Sequence, residues 1–143
     1  MVDTLRELLT EYDNAQYATG AGTVAHKKMR TVRMSNADDE IVENIKVHPE
    51  LVMFFGDNAQ TEVPIAATIN GKFVSRRIDR MVVDSKNHIV HIMDYKTDVN
   101  KNAFRPKYIA QVREYVSIVK QIYPDYKVYG YILWLHDWSL EKL

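Results

Sequence analysis

Ser75-Arg76-Arg77-Ile78-Asp79-Arg80 and His91-Ile92-Met93-Asp94-Tyr95-Lys96-Thr97 lie on either side of Asp84-Ser85-Lys86-Asn87, and the reading of these two runs decides the fold. Both continue toward the middle segment through Val and Ile, which suit a pleated, half-buried surface, and the middle holds good turn formers. The pattern predicts a β-hairpin. With Ser85 and Lys86 as its loop, the register pairs Asp79 with Ile92, Arg77 with Asp94 and Ser75 with Lys96. Side chains alternate along a strand, so Asp79, Asp94 and Lys96 are expected on one face, the two acids roughly 7–8 Å apart at the backbone.

Two carboxylates at that spacing can lean toward one cation. A hard divalent ion such as Mg²⁺ takes oxygen ligands and usually holds only one or two carboxylates, leaving room for water and phosphate. Lys96, two residues beyond Asp94 on the same face, can orient the attacking water or offset charge building on a phosphate oxygen. A solvated ion-pair cluster is the commoner fate of any one Asp or Lys. Three of them on one face of an apolar stretch argue for a site.

Ile78-Asp79-Arg80, then Asp94-Tyr95-Lys96-Thr97, then Gln111 and Tyr115 four apart resemble the RecB-type branch of the PD-(D/E)XK nucleases. The likeness is closest to the C-terminal nuclease domain of AddA helicase-nucleases, which process broken DNA ends for recombinational repair. Gly22 with His26, the stretch His48 to Gly56, Glu62 to Ile65, and Ile122 to Trp134 extend it over nearly the whole chain. The resemblance implies a restriction-endonuclease-like α/β core over residues 1–143, with a mixed central sheet (an antiparallel meander plus a parallel strand) flanked by helices. It also implies a metal site of His26, Asp79, Asp94 and the carbonyl of Tyr95, holding Mg²⁺ or Mn²⁺. Asp79, Asp94 and Lys96 are then catalytic, and Gln111 and Tyr115 position substrate. Implied partners are DNA and a helicase domain or partner subunit.

Composition sets limits. Formal net charge is zero, so no global basic field gathers nucleic acid and any such contact rests on a local patch. With no cysteine there is no disulfide, thiolate zinc site or cysteine-held iron–sulfur cluster. Apolar runs fall far short of a membrane span and Met1 is followed by Asp3, Arg6 and Glu7, so a cytoplasmic protein without membrane partners is expected.

Along the chain, apolar spacing predicts a helix over 2–17 and a second over 23–34. The second aligns His26, Arg30 and Arg33 in one stripe, the two arginines as phosphate contacts. A capped helix is expected from about Ala37 to Val47, ended by Pro49, then a short apolar turn over 51–55 closed by Gly56. Asn70-Gly71 marks a tight hairpin, and Pro64 places the first strand at an edge. Residues 98–106 read as a polar basic loop able to close over DNA. The longest helix is expected over 108–123, burying Ile109, Val112, Val116, Val119 and Ile122 or Tyr123, before a final strand over 127–135 with parallel pairing.

The expected activity is therefore metal-dependent, exonuclease-like hydrolysis of DNA phosphodiester bonds. Arg77 departs from the pattern, because the family usually has Gly immediately before the Ile-Asp. Facing Asp94, a guanidinium there either grips a phosphate or fills the place of the metal. The second outcome gives the alternative, a non-catalytic DNA-binding or subunit-docking module.

Overall fold

The computed structural model describes residues 20–143; the helix expected over 2–17 lies outside them. Helices α1 (Gly20–Met29), α2 (Asp39–Lys46) and α3 (Pro49–Phe54) come first. Strands β1 (Gln60–Ile69), β2 (Lys72–Asp84) and β3 (Ile89–Lys96) follow, then α4 (Lys101–Ile122), β4 (Lys127–Trp134) and β5 (Ser139–Lys142). The strands form one mixed sheet in chain order, antiparallel except for the β3–β4 pair. A long crossover through α4 lets β4 return parallel, as β-α-β connections require.

Local chemistry explains the edges of these elements. Asp38 caps α2 by accepting the Ile41 N–H at 3.0 Å, and Asp39 and Glu40 in the first turn suit its positive end. Pro49 opens α3 at a position where its missing N–H costs nothing. Asn70 and Gly71 both take positive φ, as a two-residue hairpin demands, and Pro64 sits on the edge strand β1.

The sheet is covered on both sides. Met29, Ile45, Leu51, Phe54 and Phe55 pack against Met93, Tyr95, Tyr131 and Leu133 on one face. On the other, Tyr115, Ile118 and Val119 of α4 pack on Ile65, Ile78, Val90 and Ile92. Gly130 of β4 lets α4 approach: a Cβ there would lie 2.7 Å from Val112 Cγ1.

Several expectations are corrected. The β2–β3 turn spans Ser85–His88, with His88 at φ 55°, so Asp84 pairs with Ile89 and Met81 with Ile92. This offsets the register by two residues, a shift that preserves side-chain parity but removes Arg77 from the place opposite Asp94. α1 stops at Met29 rather than running to Met34. α4 begins at Lys101, inside the stretch expected as a loop: Asn100 caps it by accepting the Ala103 N–H, and exposed Pro106 leaves the Asn102 carbonyl on a wet face. Within α4 the buried residues are Val112, Tyr115, Ile118 and Val119, while Ile122 is exposed. A fifth strand after Trp138 was not foreseen.

Candidate active site

The site forms where β2 and β3 part. Their ladder ends at Arg80 opposite Met93, and the next rung is a side chain: the Tyr95 N–H donates to Asp79 Oδ2 at 2.8 Å. Alternation along β2 breaks at the same point, since Ile78 and Met81 both face α4 although strict alternation would separate them. On β1, Glu62 takes φ 54°, a left-handed conformation uncommon for a residue other than glycine and typical of strained functional segments. Asp79 thus reaches into a split between strands. The flat, one-face diagonal pair expected from sequence is replaced by this split.

Through the split Asp79 meets groups from both layers. From the α1 side, His26 Nε2 lies 3.6 Å from Asp79 Oδ2, and the imidazole packs edge-on to the Tyr95 ring at 5.7 Å. From the α4 side, the buried Asp94 carboxyl interacts electrostatically with Asp79, each shifting the other's affinity for a proton. Asp79 Oδ1 is buried and receives no N–H donor. His26, Asp79, Asp94 and Lys96 are all less than 5% exposed.

The two carboxyls are driven apart electrostatically. Burial lifts Asp94 to about 7, with Lys96 pulling the other way and Asp79 adding to the rise. Burial also works to raise Asp79, but the neighbouring His26 and Asp94 side chains and the Tyr95 N–H together hold it below the usual carboxylate range. Of the two, Asp94 is the more readily protonated.

Lys96 is held on three sides. Its Nζ lies 2.8 Å from Asp94 Oδ2, donates to Gln111 Oε1 at 2.7 Å and sits 4.1 Å from the centre of the Tyr108 ring. Among the residues expected from sequence, His26, Asp79, Asp94, Tyr95, Lys96 and Gln111 come together. Tyr95 contributes its N–H to Asp79.

The remaining residues fall elsewhere. Tyr115 is 1% exposed in the apolar cluster under α4, so it supports the sheet instead of lining an open wall. Arg33 lies beyond the end of α1 and donates to the Gly56 carbonyl at 2.6 Å, which dissolves the stripe expected with His26 and Arg30. Arg30 is exposed one residue past α1. Arg77 pairs with Glu62 at 2.9 Å and is 43% exposed. Lys101 and Arg105, expected to close over DNA, are paired with Asp137 and Glu141 near and within β5.

Arg80 is the organising residue that sequence reading passed over. Its guanidinium is fully buried and donates to the carbonyls of Met29 (2.7 Å), Val32 and Phe54 (2.8 Å) and to the Tyr95 hydroxyl. It also lies 4.1 Å from the Phe55 ring centre. By taking the carbonyls at the end of α1 it stops that helix and fixes His26 beside Asp79. The signal was an Arg amid apolar strand residues, where a buried partner set is the only stable arrangement.

The donor set of two buried acids and an imidazole suits a hard divalent cation in kind. Lys96 lies against Asp94 at 2.8 Å, and among the described residues no three His, Cys, Asp or Glu side chains are arranged to hold a metal ion. No helix among them is long and apolar enough to cross a membrane. No protein-family model matches the chain, and no curated protein matches it either.

Proposed function

We propose that this chain is a restriction-endonuclease-like, divalent-metal-dependent nuclease that hydrolyses DNA phosphodiester bonds, acting as an exonuclease in the repair of broken DNA ends in the cytoplasm. The observation that carries the reading is the convergence of His26, Asp79 and Asp94 with Lys96 at the split between β2 and β3. His26, Asp79 and Asp94 would hold Mg²⁺ or Mn²⁺ once Asp94 is ionised, with the Tyr95 carbonyl as a further ligand. The chemistry supplied by the ion when bound is polarisation of a phosphate and acidification of water. Lys96 orients that water or offsets charge developing on the phosphate, and Gln111 and the Tyr108 ring keep its ammonium in place. A helicase domain or partner subunit would present the DNA, in keeping with a net charge of zero.

The test is incubation with end-labelled single- and double-stranded DNA and Mn²⁺. The wild-type chain should cut, while Asp94→Ala and Lys96→Ala, each checked for folding, should not. Equal cutting by both variants refutes the assignment.

Lys96, set 2.8 Å from Asp94, favours a second reading, a nuclease-like module that binds DNA or docks a subunit without cutting. Arg77 is no longer its cause, because the register offset takes that residue from opposite Asp94. Calorimetry separates the readings: a non-catalytic module takes up neither Mg²⁺ nor Mn²⁺, and Arg77→Gly changes nothing.

A further inference from the structure

We propose that Phe104 and Tyr108 form a stacking subsite for an unpaired nucleobase beside the scissile phosphate, an inference that rests on the hydrolase reading above. Phe104 lies on Tyr108 with ring centres 6.1 Å apart and planes inclined by 22°. Tyr108 in turn touches the reacting end of the site, its ring 4.1 Å from Lys96 Nζ. That inner ring is fixed: its hydroxyl donates to Asp98 and its edge packs 6.0 Å from Trp134. The outer ring is 42% exposed, so a rigid aromatic step leads from Lys96 to solvent.

A single exposed apolar side chain is ordinary. What points to a base is the setting. The first turn of α4 carries no acid, and exposed Lys107 follows Phe104 by three residues, a neighbour of that ring on the helix surface. An aromatic face flanked by ammonium groups is how proteins hold unstacked nucleotides, because every base offers a π-face and each phosphate a charge. Lys101 and Arg105, engaged by Asp137 and Glu141, brace the turn against the last hairpin. A base within an intact duplex has both faces covered by its neighbours. The nucleotide that docks here is therefore single-stranded or frayed from an end.

The experiment uses a short single-stranded oligodeoxynucleotide carrying 2-aminopurine, titrated with protein in EDTA so that binding is read without cleavage. Stacking quenches the fluorophore. Phe104→Ala should weaken single-strand binding by about tenfold and abolish the quench, Phe104→Trp should restore both, and affinity for a blunt duplex should not change. With an abasic sugar in place of the fluorophore, wild type and Phe104→Ala should bind alike. Wild-type affinity and quench in Phe104→Ala, with metal-dependent cutting intact, overturn the stacking subsite and leave the hydrolase reading standing. Failure of the wild-type chain to bind or cut any oligonucleotide removes both.

Discussion

Replacing Arg80 by Met should cost more stability than any surface change, and the loss follows from its partners. The guanidinium serves the carbonyls of Met29, Val32 and Phe54 and the Tyr95 hydroxyl, all buried with it. Met29 keeps the Val32 N–H at 3.1 Å, so three partners are orphaned. At roughly 1–2 kcal/mol for each unmet buried group this amounts to about 3–6 kcal/mol. Relief from burying a charge offsets part of it and brings the net to about 3 kcal/mol. For a chain of this size such a loss lowers Tm by about 6–12 °C. Thermal melts followed by circular dichroism measure it, with Arg80→Lys falling between wild type and Arg80→Met because one ammonium cannot reach all the acceptors. A drop under about 2 °C for Arg80→Met would refute the idea that this residue ties α1 to the sheet.

Two further outcomes follow from the geometry. Asp94 is raised to about 7 in the folded protein, above the ordinary carboxylate value it regains on unfolding, so between those values the folded state holds the extra proton. Its contribution is complete at acid pH and is lost as pH rises through about 7; metal-free melts should show stability falling from pH 5 to pH 8, with a flatter profile in Asp94→Asn. Gly130→Ala should destabilise by about 1–3 kcal/mol by overpacking, because the new Cβ meets Val112 and Val116 at 2.7 and 3.0 Å; denaturant melts check this.

Much of the fold was legible because local and global signals agree. Asn70-Gly71 announced its hairpin, the Val and Ile runs their strands, and the helical spacing of Val112 and Val119 the crossover that makes β4 parallel. Asp79, Asp94 and Lys96 come together even though the register was off by two, through a strand split and not on the flat face expected. An even offset leaves parity intact, so the register error by itself displaced only Arg77.

The rest depended on tertiary partners that no spacing displays. His88 adopts positive φ and lengthens the turn to four residues. Residues 98–106 read as a loop, yet α4 starts at Lys101 and Pro106 sits where the carbonyl it orphans faces solvent. The end of α1 is set by Arg80, fifty-one residues away in sequence from Met29, and only the folded chain reveals that link. The break in alternation at Asp79 is likewise invisible to a rule of period two.

The account turns on whether the buried acids at the strand split accept a cation. Isothermal titration of Mn²⁺ into the purified chain at pH 7, repeated in buffers of different ionisation enthalpy, reports both binding and proton release. Saturable uptake with proton release from the raised Asp94 carboxyl is expected, and is lost in Asp79→Asn and in His26→Ala. No uptake by a folded wild-type chain, or uptake untouched by both substitutions, contradicts it.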